Sequence, residues 1–256
     1  MISSLDTQKE KEKVEELRRH VENGEWSKVI QAYKDDSMLR EAKITPAGDT
    51  VLHVAVSNCE EKVVAEIVHF LFPKEKSPTK DHVALILDGD GGDKSSSSKS
   101  IFLGVENDRK NTPLHLAGAM GNDWICKKIG RKDPSLIARP NIDGETPLFL
   151  AALHGQKLTF LWLHYLYVGS NSTDFAHCIR QNKDTILHCA IAEGHFDVAI
   201  EIVHLYKEHL KEMMKPNQKG LTPLHLLAAQ RSAFKTTALL EVPRLLHPFY
   251  CKFHCL

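Results

Sequence analysis

The sequence predicts an all-α fold of stacked helix–turn–helix units joined by short hairpin loops. The first observation is a stretch of the type Thr-Pro-Leu-His, which occurs in five copies along the 256 residues. The second is that each copy combines helix-start residues with apolar residues at helical spacing. The third is that a further apolar segment of helical length follows the copies. A helix pair that recurs in this way favours a repeat protein over one globular core.

The copies are regularly spaced after the first. Their threonines lie 62, 34, 39 and 37 residues apart, by subtraction of successive positions. An insertion accounts for the long first interval. The five copies are DTVLHVAVSNCE (49–60), NTPLHLAGAMGN (111–122), ETPLFLAALHGQ (145–156), DTILHCAIAEGH (184–195) and LTPLHLLAAQRS (221–232).

Each copy contains the signals of a short helix. Threonine at the N-cap offers its hydroxyl to the unpaired N–H groups of the first turn. Proline follows in three copies, at a position where its missing N–H costs nothing. Glycine stands nine residues after the threonine in three copies, where it supplies a left-handed stop. The prolines are Pro113, Pro147 and Pro223, and the glycines are Gly121, Gly155 and Gly194.

Four of the five copies contain a histidine three residues after the threonine. Stacked repeats hold these histidines a repeat apart, so they cannot converge on one metal or reaction centre. We expect each imidazole to hydrogen bond to its threonine cap and to nearby backbone, tying hairpin to helix. Phe149 replaces the histidine in the third copy, which a stack tolerates and a catalytic array does not. The predicted structural residues are Thr50, His53, Thr112, His115, Thr146, Thr185, His188, Thr222 and His225.

Three regions are predicted along the chain. Residues 1–45 form a capping helix pair with a polar outer face and no motif, and residues 46–242 form five repeats. A flexible insertion rich in serine, glycine and aspartate occupies about 73–100 within the repeats. Residues 243–256 form a C-terminal tail, in which two prolines oppose a continuing helix.

Composition narrows the classes of function. Lysine plus arginine and aspartate plus glutamate both number 33, so no basic excess indicates nucleic acid or anionic lipid. Six scattered cysteines predict reduced thiols in the cytosol, and no run of about 18 apolar residues occurs. Because no nucleotide loop, nucleophile elbow or helix-borne metal pair is present, we expect no enzyme, small-molecule substrate, metal or cofactor.

Several short stretches leave alternatives open. DGDGGD (88–93) suggests calcium, but Gly92 and Lys99 stand where ligands belong, so a passive loop is favoured. CKFHC (251–255) offers three zinc-type ligands without a fourth. Acylation of Cys251 or Cys255 and phosphorylation of Ser95 to Ser98 are further alternatives.

The repeated motifs resemble the ankyrin-repeat family over nearly the whole chain. The third-copy phenylalanine and the sequence AFK after the last copy are similar to one plant subfamily in particular. Its members carry a C-terminal membrane domain opened by Pro-Gly-Gly, a tripeptide that this sequence does not contain. The resemblance implies an ankyrin solenoid and a non-enzymatic interaction scaffold in plant signalling, stress or defence. The alternative is the cytosolic regulatory half of such a membrane protein.

The resemblance also implies where a protein partner binds. Partner-facing residues lie just before each threonine and near the end of each first helix. We expect a cytoplasmic chain, or one at the cytoplasmic face of a membrane, that contacts the membrane only indirectly or through a missing C-terminal domain. The implied protein-binding residues are Asp108, Arg109, Asn111, Met120, Asp143, Glu145, His154, Asn182, Asp184, Glu193, Lys219 and Gln230.

Overall fold

The computed structural model describes residues 2–73, 101–169 and 175–230. Within these ranges the chain is all-helical, which confirms the predicted all-α class, and an isolated bridge joins Ile179 to Thr185. Most of the predicted insertion, the segment after the last motif and the C-terminal tail lie outside the described residues, as do Ser95 to Ser98 and the CKFHC stretch. The chain divides into two compact units.

Unit 1 comprises residues 1–113 and 131–133. Helix α1 packs on α2, α2 packs on α4, and α3 packs on α4. The turn NGEW separates α1 from α2, with Gly24 at a φ of 68°. Apolar residues at helical spacing, among them Leu17, Val29 and Tyr33, form the buried face of this pair. The helices of unit 1 are α1 (Ile2–Glu22), α2 (Trp26–Asp35), α3 (Val51–Ser57) and α4 (Glu61–Leu71).

An arginine organises the aromatic side chains of unit 1. The guanidinium carbon of Arg40 lies 6.0 Å from the ring centroid of Tyr33, 5.1 Å from that of Phe70 and 5.4 Å from that of Phe102. Its Nε donates to the carbonyl oxygen of Tyr33 at 2.9 Å, and its Nη2 to that of Lys34 at 3.1 Å. Arg40 therefore holds the segment that begins at residue 101 against α2 and α4.

Unit 2 comprises residues 114–130 and 134–256. Helix α7 packs on α8, and α9 packs on α10, so these two motif helices each pair with the helix that follows. Between successive pairs, α6 packs on α8, α7 on α9 and α9 on α12. The helices are α5 (Pro113–Met120, starting at the unit boundary), α6 (Asp123–Gly130), α7 (Pro147–Leu153), α8 (Lys157–Gly169), α9 (Ile186–Ala192), α10 (Phe196–Leu205), α11 (Leu210–Met213) and α12 (Pro223–Ala229).

Small residues allow the motif helices to approach closely. A Cβ added at Gly118 of α5 would stand 2.6 Å from the carbonyl oxygen of Pro147, at the start of α7. Glycine is therefore required at this point of contact. The large side chains of Phe149, Phe160 and Ile125 are fully buried and fill the space between the helices of unit 2.

Candidate functional site

The motif threonines and histidines form a repeated hydrogen-bonded cap. In α3, His53 Nδ1 accepts the main-chain N–H of Thr50 at 3.2 Å and lies 2.9 Å from the threonine hydroxyl. The corresponding two distances from Nδ1 of His188 to the main-chain nitrogen and the hydroxyl of Thr185 are 3.2 and 2.8 Å in α9. They are 3.2 and 2.7 Å for Thr222 and His225 in α12. The imidazole thereby satisfies a backbone donor at each helix start.

In three motifs the second ring nitrogen of the histidine connects the motif to the following hairpin turn. Nε2 of His53 lies 2.8 Å from the carbonyl oxygen of Asn111, the residue before the next motif threonine. The corresponding distances are 3.1 Å from His115 to Glu145, and 3.1 Å from His188 to Leu221. For His53 and His188, Nδ1 accepts a backbone N–H and Nε2 faces a carbonyl. This arrangement fixes the neutral Nε2–H tautomer.

Protonation of two of these histidines is disfavoured. Burial lowers the pKa of His53 and of His188, and the hydrogen bonds to the carbonyl oxygens of Asn111 and Leu221 only partly oppose that effect. A second ring proton would also point at the backbone N–H that Nδ1 accepts. Both imidazoles therefore act as neutral links between backbone groups.

The hairpin turns have a common internal structure. In the turn 141–145, Asn141 Oδ1 accepts the main-chain N–H groups of Asp143 at 3.0 Å and Glu145 at 2.9 Å. The turns 107–111 and 217–221 contain the same pair of bonds. An asparagine at the first position thus holds the turn in one conformation. The three asparagines are Asn107, Asn141 and Asn217.

Main-chain hydrogen bonds join successive turns within each unit. In unit 2, Gln181 N donates to Asp143 O at 3.1 Å, and Gln218 N donates to Asn182 O at 3.0 Å. In unit 1, Asp108 N donates to Ala47 O at 3.1 Å. In all three bonds the second residue of a turn donates to the third residue of the preceding turn, which in unit 1 is the turn 45–49. The side chains at these positions therefore lie in a fixed register.

The turn 180–184 departs from this pattern, next to the motif in which Phe149 replaces histidine. Arg180 stands where the turns 107–111, 141–145 and 217–221 have asparagine, and its guanidinium carbon lies 5.8 Å from the Phe149 ring centroid. Its Nη1 lies 2.7 Å from Glu145 Oε1, and its Nη2 lies 2.8 Å from Asp184 Oδ2. Arg180 thus links two turns where the other motifs use a histidine. The hydroxyl of Thr146 donates to the carbonyl oxygen of His177 instead, at 3.0 Å.

The ion pairs of this cluster favour the charged forms of Asp184 and Arg180. Burial opposes ionisation of Asp184, but hydrogen bonds from Arg180, Asn217 and Asn182 outweigh it and lower the carboxyl pKa. Partial burial alone would lower the pKa of Arg180, yet its bonds to Asp184 and Glu145 raise it above the usual value. The cluster is therefore a structural link between turns.

The residues expected to face a partner fall into three groups. Glu145 and Asp184 are buried, at 7% and 9% exposure, and both engage Arg180, so we leave them out of the candidate surface. The partly exposed residues are Asn111, Asn182 and Gln230. The exposed residues are Asp108, Arg109, Met120, Asp143, His154, Glu193 and Lys219.

Sequence reasoning missed several turn residues. Lys110 and Lys183 are exposed, with φ values of 58° and 63°, at positions where the other turns have glycine. Ile142 is 49% exposed beside Asp143. Their positions in the sequence, two to four residues before a motif threonine, could have indicated that they lie at the tips of the turns. A positive φ is unfavourable for lysine, so each of these two residues adopts its turn conformation at some conformational cost.

The described residues contain no group of three or more histidine, cysteine, aspartate or glutamate side chains able to hold a metal ion. None of the helices described is long and apolar enough to cross a membrane. Compared with known protein families and with curated proteins, the chain matches no family model and no curated sequence.

Proposed function

We propose that this chain is an ankyrin-type repeat protein that binds other proteins through its hairpin turns and the ends of its motif helices. The main-chain bonds between successive turns carry this proposal. In unit 2 they place the tips of three turns, 142–144, 181–183 and 218–220, side by side. A rigid row of exposed side chains suits recognition, because little conformational entropy is lost on binding.

The chemistry of the row varies while its backbone is constant. At the third position of each turn, unit 2 has an acid in Asp143, an amide in Asn182 and a cation in Lys219. Ile142 and Lys183 add an apolar group and a second cation. Different side chains at equivalent positions favour a binding surface whose specificity is set by those side chains.

A second row of side chains lies at the ends of the motif helices. Met120 is 42% exposed at the end of α5, His154 follows α7 and Glu193 follows α9. A motif helix of seven residues rises about 10 Å, which separates this row from the turns. The two rows of unit 2 together offer anchors of mixed chemistry for a partner.

The motif histidines support a role without catalysis. His53 and His188 use both ring nitrogens in hydrogen bonds within the fold and have lowered pKa values. On the ankyrin resemblance we extend the proposal to plant signalling or defence. The proposed location is the cytoplasm or the cytoplasmic face of a membrane.

Quantitative capture with charge-reversed variants tests this function. Asp143→Lys with Lys219→Glu reverses two exposed tips of unit 2 without changing the net charge. The matched control, Glu15→Lys with Arg19→Glu, makes the same exchange on exposed positions of α1. We expect the tip variant to recover about tenfold less cross-linked partner than the wild type or the control does. Equal recovery of the same proteins by all three chains would contradict the proposal.

A further inference from the structure

The outer face of α8 carries an apolar stripe. Leu158 and Tyr165 are each 69% exposed, Val168 is 53% exposed, and Trp162 is partly buried between them. The rings of Trp162 and Tyr165 meet edge to face, with centroids 6.0 Å apart. Spacings of four, three and three residues place these four side chains, the α8 stripe, on one side of the helix.

The neighbouring second helices have charged groups at the equivalent positions. Helices α6, α8 and α10 each begin two residues after a turn glycine, at Asp123, Lys157 and Phe196. The residues seven positions after those glycines therefore share one row. They are Lys128, Trp162 and Glu201, a cation, an aromatic ring and a carboxylate.

Contacts place α6 and α10 along α8. On α6, Lys127 Nζ lies 4.1 Å from the ring centroid of Trp162, and Lys128 is exposed. On α10, Glu201 pairs with Lys157 of α8 at 2.7 Å and keeps 28% of its side chain exposed. The α8 stripe therefore has a basic edge formed by α6 and an acidic edge formed by α10.

We propose that the α8 stripe is an interface to a second copy of this chain. A twofold axis parallel to α8 stacks the two stripes on each other and exchanges their edges. Lys128 of each copy then faces Glu201 of the other, and Trp162 meets its own equivalent. The surface is complementary to itself, as a twofold interface requires.

The size of the surface fits this partner. The exposed fractions applied to side chains of about 150–200 Å² give a stripe on the order of 400 Å². A stable interface buries about 800 Å² from each partner. The stripe supplies about half of that area. When two copies pack face to face, the two charged edges supply the rest. An anionic lipid surface fits less well, because the α10 edge is acidic.

Sedimentation velocity of the full chain over about 1–100 µM tests the proposal. We expect a concentration-dependent dimer of the wild type that weakens at least about tenfold with Tyr165→Ser. Met38→Ser removes an exposed apolar side chain from unit 1, outside the stripe and both proposed binding rows, and serves as the matched control. A wild type that stays monomeric throughout, or a dimer unchanged by Tyr165→Ser, overturns the interface.

Charge reversal tests the orientation. Lys128→Glu and Glu201→Lys alone each place like charges opposite one another, so each weakens the dimer about tenfold. The chain with both changes restores opposite charges and dimerises within about threefold of the wild type. If the double variant dimerises more weakly than both single variants, the proposed twofold axis is wrong. Wild-type binding to phosphatidylcholine–phosphatidylserine vesicles that Tyr165→Ser abolishes, with no dimer, overturns the choice of partner.

Discussion

The imidazole Nε2 of His188 lies 3.1 Å from the main-chain carbonyl oxygen of Leu221, the residue before the next motif threonine. Because Nδ1 of the same ring accepts the N–H of Thr185, only the neutral Nε2–H tautomer makes both bonds at once. His53 makes the equivalent contact to Asn111 in unit 1. Protonation of these rings therefore removes the bond that caps the motif helix.

Stability is expected to fall in mild acid. The unfolded histidines titrate near pH ~6.5, whereas the folded pKa values of His53 and His188 are lower. Between the two values only the unfolded chain binds the protons, so stability is complete above the unfolded pKa and declines as the pH falls below it. Urea unfolding at about pH 7.5 and about pH 5.5 measures this. A variant with His53→Gln and His188→Gln should show a smaller decline, and an equal decline would contradict the assignment.

The buried motif leucines are expected to contribute strongly to stability. Leu114 and Leu148 are fully buried, so replacing either with alanine leaves a cavity and costs about 2–5 kcal/mol. His115→Gln should cost less, because an amide retains part of the hydrogen bonding to Glu145. Thermal unfolding followed by circular dichroism checks the order of the three variants. An unchanged melting temperature for Leu114→Ala would refute the packing described.

The Phe149–Arg180 pair is expected to behave as a unit. Arg180→Asn alone leaves Glu145 and Asp184 without their shared cation, and Phe149→His alone places an imidazole beside the guanidinium. The double variant recreates the histidine and asparagine of the other repeats. We therefore expect a favourable coupling free energy of about 1–2 kcal/mol in a double-mutant cycle. Strict additivity of the two single changes would show that the positions are independent.

A residue just after the end of α3 is expected to cost stability in unit 1. Cys59 occupies the helix-end position where the next three motifs have glycine, and its φ is 55°. Left-handed backbone costs an L-residue about 1–2 kcal/mol, so Cys59→Gly should raise the free energy of unfolding by about 1 kcal/mol. The reverse change, Gly194→Cys, is the matched control, because no atom lies within 4 Å of an added Cβ there. It should destabilise by a similar amount, and a gain from both changes would contradict this account.

Local sequence predicted the helices well, because the determining signals lie within a few residues. Helices α3, α5, α7, α9 and α12 each begin at the residue after a motif threonine. Proline at the first helical position and a residue with positive φ after the helix act over the same short range.

The exceptional motif could not be predicted from local signals. Phe149 and Arg180 are 31 positions apart by subtraction, and only the packing of two turns shows that one compensates for the other. The burial of Glu145 and Asp184 follows from the same cation, since a carboxylate before a helix is ordinarily solvated. Sequence patterns place such residues in a turn, but their burial depends on what the neighbouring turn contributes.

The main-chain bonds between neighbouring turns also affect how the surface of unit 2 can change in evolution. The N–H groups of Gln181 and Gln218 are already occupied by the preceding turn, which leaves them unable to recruit strands from other molecules. The backbone supports the turns, while the exposed side chains of Ile142 and Lys219 have no part in those bonds. Such residues can therefore be exchanged with little effect on folding. On the proposed function, new binding specificity then arises by substitution at the tips alone.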